Sequence, residues 1–284
     1  MRRPIASDKF YVSDPVKLYE QVSSLLINAK KQDVKIAIAP HAGYDYSGKC
    51  AGEVYSRFEL FLIKDVETII LLGPNHSGIG PKVSLSHQSF LTPFGKAEID
   101  LDLMKLIKRN SDLEEISVYE NEEAHNNEHS LEVQLPFIQT VFGNDIKIVP
   151  MIFKDMSYEE CLIFSKILFN AIVESGRKVR IIVSSDFTHH GYFYDFVKFK
   201  ENVREELFNL DMKSINFILN FDSLAFYEYA VKETTICGIF AITIGIELAK
   251  LFSCAHSEKV SYYNSGDVSK DYENSVNYAG IIFY

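Results

Sequence analysis

The sequence is poor in the features that mark several protein classes. It has only four cysteines, at positions 50, 161, 237 and 254, with no CxxC pair and no staple-like spacing. That argues against a disulfide framework and for a reduced compartment. Basic residues are the minority: 29 Lys+Arg against 39 Asp+Glu give a formal net charge of −10, and no cationic cluster exceeds the Arg2-Arg3 or Lys30-Lys31 pair. A surface that tracks nucleic-acid phosphates is not expected. The longest apolar run, Cys237 to Ile246, stops at Glu247, well short of the ~20 residues that cross a bilayer. The opening MRRPIASDKFY lacks the apolar core of a signal peptide. The expectations are no membrane partner, no nucleic acid and a cytoplasmic location. Repeats, low-complexity tracts and Pro/Gly-rich linkers are missing too, so one domain over residues 1–284 is the simplest organisation.

What is there belongs to an α/β fold. The 284 residues are 47% apolar and 24% charged, enough for a sizeable core without metal or disulfide staples. Short β-branched runs at Lys35–Ala39, Glu67–Leu72, Ile146–Ile152 and Val179–Ser184 read as strands buried on both faces. Between them lie segments with helical spacing, Ser47–Phe58, Leu101–Arg109, Ser130–Phe142 and Ser157–Glu174, an alternation that predicts βα units around a central sheet. The pattern then changes to consecutive helices, near Phe196–Asn209, Asp211–Leu219, Ser223–Lys232 and Gly238–Phe252. A closing antiparallel pair, Lys259–Asn264 and Asn277–Tyr284, follows.

Polar clusters sit where such a fold binds ligands, beyond the carboxyl ends of strands. PHAGYDYSG follows the strand ending at Ala39, GPNHSG follows Leu72, and SSDFTHHG follows the Val179 strand; EHSLE opens the helix before the Ile146 strand. Five of the eight histidines, His41, His76, His129, His189 and His190, fall in these four places. Any one of them alone has a structural explanation, but two strand-end histidines on neighbouring strands can offer two nitrogens to one metal. In the His189-His190 pair only one ring can face a given pocket if the segment is extended. Asp186 is placed either to orient His189 across a turn or to cap a turn itself. His129 and Glu132 open an apolar helix where Ser130 can serve as the cap, so pocket and capping roles compete there. Tyr44 and Tyr46 read equally as pocket walls or as amphipathic cover. His87, His125 and His256 lack comparable context and read as surface or core residues. Cys237 precedes a helix, where the dipole favours a thiolate, although buried cysteine is ordinarily inert packing. Cys50, inside the first helix of the alternating region, fits the inert description.

Taken together, RRPIASDKFY, PHAGYDYSG, LGPNHSG, EHSLEVQLPF, SSDFTHHG and TICG, in this order and spacing, resemble the Memo family, also called AmmeMemoRadiSam system protein B. The likeness runs from Arg3 to the terminal strands. It implies a single domain with a central mixed sheet flanked by helices, similar to class III extradiol dioxygenases, which hold non-haem Fe(II) with two histidines and a carboxylate. Carried onto this sequence, the family pattern implies a pocket lined by His41, His76, Cys237, Asp186 and His189. A thiolate where the dioxygenases have a carboxylate softens the site, so Cu or Zn stand beside Fe(II) as candidate ions. Genes of the family are associated with a radical SAM protein and an AMMECR-type protein, which the resemblance implies as partners.

Two functions from different classes follow. In the first, a metal-dependent oxidoreductase, His41, His76 and Cys237 bind the metal and an open position takes dioxygen or substrate. His189 then serves as acid/base oriented by Asp186, and Tyr44, His129 and Glu132 contact the substrate. In the second, a binding or adaptor protein uses the same pocket to hold a peptide or partner protein. A metal-assisted hydrolase is a third possibility with no distinctive motif.

Overall fold

The computed structural model describes residues 1–113 and 116–284. The strands are β1 (Ile36–Ala39), β2 (Thr68–Pro74), β3 (Val83–Leu85), β4 (Phe90–Thr92), β5 (Gly95–Ile99), β6 (Val118–Glu120), β7 (Lys147–Phe153), β8 (Val179–Ser184), β9 (His189–His190), β10 (Ser257–Asn264) and β11 (Ser275–Phe283). The main path through the sheet is β10-β11-β1-β8-β2-β7-β3-β6, with β4, β5 and β9 off that path. β1, β8, β2 and β7 are mutually parallel, whereas β11 joins β1, β10 joins β11 and β3 joins β7 antiparallel. The result is an α/β fold around a mixed sheet flanked by helices.

The central strands are apolar on both faces because both faces are covered. β1 (IAIA) and β2 (TIILLGP) are buried throughout, each buried Ile or Leu contributing roughly 1.5–3 kcal/mol. The Ile239–Leu251 helix packs on β1, β2, β7 and β8, and the Tyr44–Tyr55 helix on β1, β10 and β11. The Tyr158–Ser175 helix starts in a capping box between Ser157 and Glu160 and ends on Gly176 in the left-handed region, a start and stop written in the sequence. No helix among the described residues is long and apolar enough to cross a membrane.

The inner strands and the closing β10–β11 pair fall where the sequence places them, and three differences have physical causes. The two helices expected at Phe196–Asn209 and Asp211–Leu219 are one, Val203–Leu219. Asp211 does not break it, because its buried carboxylate accepts hydrogen bonds from Thr188 Oγ1, Asn277 Nδ2 and Tyr262 OH. The helix expected over Ser130–Phe142 is a 3-10 turn, Glu132–Gln134, followed by an α-helix at Leu135–Phe142. Pro136 has no N–H to donate and belongs in a first helical turn, so it marks the true start. The Pro15–Leu25 helix and the outer strands β3 to β6 went unpredicted; the strands β3, β4 and β6 are three residues each, too short for a period-2 pattern to register.

Candidate metal centre

Parallel β1, β2 and β8 end side by side, and the chain leaving each delivers one polar loop to the same edge: His41 after β1, His76 after β2, Asp186 after β8. Two glycines let further segments close on this edge. A Cβ on Gly73 would lie 2.7 Å from Leu131 Cδ2, so glycine is what allows the EHS segment to lie against β2. A Cβ on Gly238 would lie 2.5 Å from Ser185 Cβ, and its absence seats the TICG turn on the end of β8.

These approaches bring three imidazoles together. One ring nitrogen from each of His41, His76 and His129 lies within 4.8 Å of the others, a spacing at which they can hold one metal ion. The His76 and His129 rings are stacked, with centroids 5.1 Å apart, and the His41 ring stands nearly perpendicular to both. Cys237 Sγ lies 3.4 Å from His41 Nε2. His41 is fully buried, whereas the His76 side chain is 36% exposed, so the cluster is open on the His76 side.

Each ring is held from behind. His41 Nδ1 is 2.9 Å from Ser184 Oγ, and the His41 main-chain N–H donates to Asp186 Oδ1 at 2.8 Å. Glu128 Oε1 is 2.9 Å from His76 Nδ1 and also accepts the Ser130 N–H, while its Oε2 accepts the His76 N–H at 2.7 Å. Phe10 lies on the outer face of His129, with ring centroids 4.5 Å apart. The Asp186 N–H points at Cys237 Sγ, 3.3 Å away.

Burial is the main electrostatic force here. It pulls the pKa of His41 well below the ordinary value, with the neighbouring His76, His129 and His189 adding to the effect, and pulls His129 to about 4. For His76 partial burial also works against the charge, but its interactions with Cys237 and Glu128 outweigh it and raise its proton affinity. Glu128 is correspondingly lowered, burial being overcome by its bonds from His76 and Ser130. Asp186 is pushed up to about 6 by burial, against the main-chain N–H groups of His41 and Ala42.

Comparison with known proteins follows the same residues. The family model described as "Memo-like protein" matches residues 2–282. The chain belongs to the Memo-like family. It is 36% identical to a MEMO1 family protein of Archaeoglobus fulgidus over 284 residues, covering 100% of this chain and 99% of that one. It is 34% identical to a MEMO1 family protein of Methanosarcina mazei, covering 99% and 98% of the two chains. To a MEMO1 family protein of Aquifex aeolicus it is 34% identical, covering 100% and 99%.

The remaining candidates of this Memo-like chain are placed as follows. His189 is carried to the same edge by the segment that follows β8. Thr235 braces it, with Oγ1 2.8 Å from the His189 main-chain nitrogen and the carbonyl 3.2 Å from Nδ1. Asp186 therefore braces His41, and Thr235 is what orients His189. His190 points away into packing, its ring on Phe199 and its Nδ1 on the Glu273 carbonyl, as alternation along an extended segment requires. Glu132 is 1% exposed and committed to the N-terminal segment, accepting from Ile5 N, Ala6 N and Tyr11 OH and pairing with Arg2. Tyr44 is a buried ring between Tyr11 and Phe137 with its hydroxyl on the Val133 carbonyl. Ser130 caps no helix; its N–H serves Glu128.

Sequence reasoning passes over Glu128, Ser184, Gln134 and Thr235 as separate contributors. Each lies inside a motif that draws attention, EHSLEVQ, SSDF or TTICG. Residue type alone does not show which member faces the pocket and which stands behind it.

Proposed function

We propose that this Memo-like chain is a metal-dependent oxidoreductase with a dioxygenase-like pocket, acting on a small molecule held beside His189. The observation that carries the reading is the convergence of His41, His76 and His129 to within 4.8 Å, with Cys237 Sγ 3.4 Å from His41 Nε2. Imidazole and thiol donors without a carboxylate among them fit a transition-metal ion and not Mg²⁺ or Ca²⁺. His41, His76 and Cys237 would hold the ion, with His129 as a fourth donor. Fe(II) is the ion proposed, and Cu or Zn are the alternatives the donor set also suits. Such an ion, when bound, supplies Lewis acidity and, for iron or copper, electron transfer.

The chain's own groups do the rest. His189 is neutral at pH 7 because burial pulls its pKa to about 4. With Nδ1–H donated to the Thr235 carbonyl, its Nε2 is free to accept a proton from substrate. Asp186 holds the His41 loop still, and Phe10 with His129 walls one side. Metal analysis of anaerobically purified wild type against His41→Ala, His76→Ala and Cys237→Ser tests the centre. Dioxygen consumption by the loaded protein with a reductant tests the chemistry. Equal metal content in all four proteins, or a loaded wild type that consumes no dioxygen, removes the oxidoreductase reading.

A second reading, a binding protein that holds a peptide or partner in the same pocket, draws on the turn Tyr192–Tyr194. Tyr192 and Phe193 are 75% and 83% exposed, and the Tyr194 ring lies 5.1 Å from His189. Metal retention without turnover favours it. The four free cysteines fit the cytoplasm. Radical SAM and AMMECR-type proteins are the partners proposed by family association, with co-purification as the check.

A further inference from the structure

A histidine binds a metal through a nitrogen lone pair, so the tautomer it adopts decides whether a nearby ring is a ligand at all. Which nitrogen of His41 carries its proton follows from counting the bonds at Ser184. Ser184 Oγ is fully buried and has three hydrogen-bonding neighbours, one for its hydrogen and one for each of its two lone pairs: the Ser130 carbonyl at 2.7 Å, Gln134 Nε2 at 2.9 Å and His41 Nδ1 at 2.9 Å. The Ser130 carbonyl can only accept, so the one hydroxyl hydrogen goes there. Gln134 Nε2 can only donate, so it takes one of the two oxygen lone pairs.

The Gln134 amide is itself fixed in direction. Its Nε2 also donates to the Pro40 carbonyl at 2.9 Å, and its Oε1 accepts the Tyr55 hydroxyl at 3.0 Å; flipping it would set oxygen against oxygen and leave the Tyr55 hydroxyl facing an N–H donor. What remains on Ser184 is a single lone pair, facing His41 Nδ1. That nitrogen must donate, and the lone pair of the ring is left on Nε2, the atom that lies 3.4 Å from Cys237 Sγ.

We infer that Ser184, itself held by Gln134 and the Ser130 carbonyl, is a positioning residue that fixes His41 as the Nδ1–H tautomer with its Nε2 lone pair aimed into the cluster. The inference rests on the metal-centre reading for its purpose, but the tautomer belongs to the metal-free protein. The arrangement parallels those of His76 and His189, where Glu128 stands behind His76 Nδ1 and the Thr235 carbonyl behind His189 Nδ1. The hydroxyl is the subtle member of the three, because serine alone could either donate or accept.

Long-range 1H–15N correlation spectra of the metal-free, histidine-labelled protein read the tautomer directly, with the His41 signals identified by their loss in His41→Gln. Wild type is expected to show a protonated Nδ1 and an unprotonated Nε2 at His41. Ser184→Thr, which keeps the hydroxyl, is expected to match it, whereas Ser184→Ala is expected to show both tautomers. Zn(II) affinity, measured by competition with a chromophoric chelator, is expected to fall about 10- to 100-fold in Ser184→Ala and to recover in Ser184→Thr. An Nε2–H tautomer in wild type overturns the inference, and needs no variant to fold. So does a Ser184→Ala protein with the wild-type tautomer and wild-type affinity. A wild type with the expected tautomer that binds no Zn(II) overturns the metal-centre reading and leaves the role of Ser184 in fixing the ring supported.

Discussion

Glu128 grips His76 at two points: one carboxylate oxygen lies 2.7 Å from the main-chain nitrogen and the other 2.9 Å from ring Nδ1. Loop and ring are thereby fixed by a single side chain that is 1% exposed. A carboxylate behind a metal-binding imidazole both orients it and strengthens it as a donor. Glu128→Gln is expected to weaken Zn(II) or Co(II) binding by about 10- to 100-fold while the far-ultraviolet circular dichroism stays that of wild type. Unchanged affinity would mean that the ring needs no such support.

Much of this was legible beforehand, and the rest was not for identifiable reasons. β1, β2, β7 and β8 announce themselves because strands buried on both faces must be continuously apolar. His41 and His76 follow from them, since a parallel sheet puts what comes after each strand at one edge. His129 was harder: it comes before a strand in the chain and reaches the cluster only because Gly73 admits the EHS segment. Glu132 misled for a related reason. A carboxylate three residues after a pocket histidine looks like pocket chemistry, and only the path of the N-terminal segment shows that Arg2, Ile5, Ala6 and Tyr11 already occupy it.

Cys237 is expected to be a ligand, and Cys50 is not. Cys50 is fully buried, with its thiol pushed up by that burial, and packs with Val276 and Tyr278. Cys237→Ser should abolish the thiolate-to-metal charge-transfer absorption of the Co(II)-loaded protein, whereas Cys50→Ser should retain it. Identical Co(II) spectra for wild type and Cys237→Ser would make the thiol a bystander and leave His129 as the third donor.

Metal removal is expected to leave the fold standing. The cluster sits on loops already braced by protein groups, including Ser184, Asp186 and Glu128, over a core that does not include it. Chelation should leave the circular dichroism spectrum unchanged and lower stability only by the linkage contribution, about 2.7 kcal/mol at a free metal concentration 100 times Kd. Global unfolding on chelation would contradict this.

Glu132 is expected to act on stability. Arg2 and Glu132 are buried together, at 4% and 1% side-chain exposure, and removing one charge of such a pair leaves the other uncompensated. Glu132→Gln should cost about 3–5 kcal/mol in urea unfolding, and the double variant Arg2→Met/Glu132→Gln should recover part of it. A loss below about 1 kcal/mol, the usual size for an exposed pair, would show that Arg2 simply swings into solvent.

Asp211 gives the chain a pH-dependent stability unrelated to the cluster. Burial raises its pKa from the ordinary 3.8 to about 6, against the hydrogen bonds from Thr188, Asn277 and Tyr262. A carboxyl group whose pKa is higher in the folded than in the unfolded chain favours folding when protonated. Its contribution is complete below the unfolded value near 4 and is lost as pH rises through about 6. A difference of this size corresponds to about 3 kcal/mol. Asp211→Asn keeps the shape and removes the titration. The unfolding free energy of wild type, measured relative to Asp211→Asn, should therefore rise as pH falls from 7 to 4, with most of the change between about 6 and 4. Parallel stability curves for the two proteins across that window would show that Asp211 keeps an ordinary pKa, its three hydrogen-bond donors having cancelled the effect of burial.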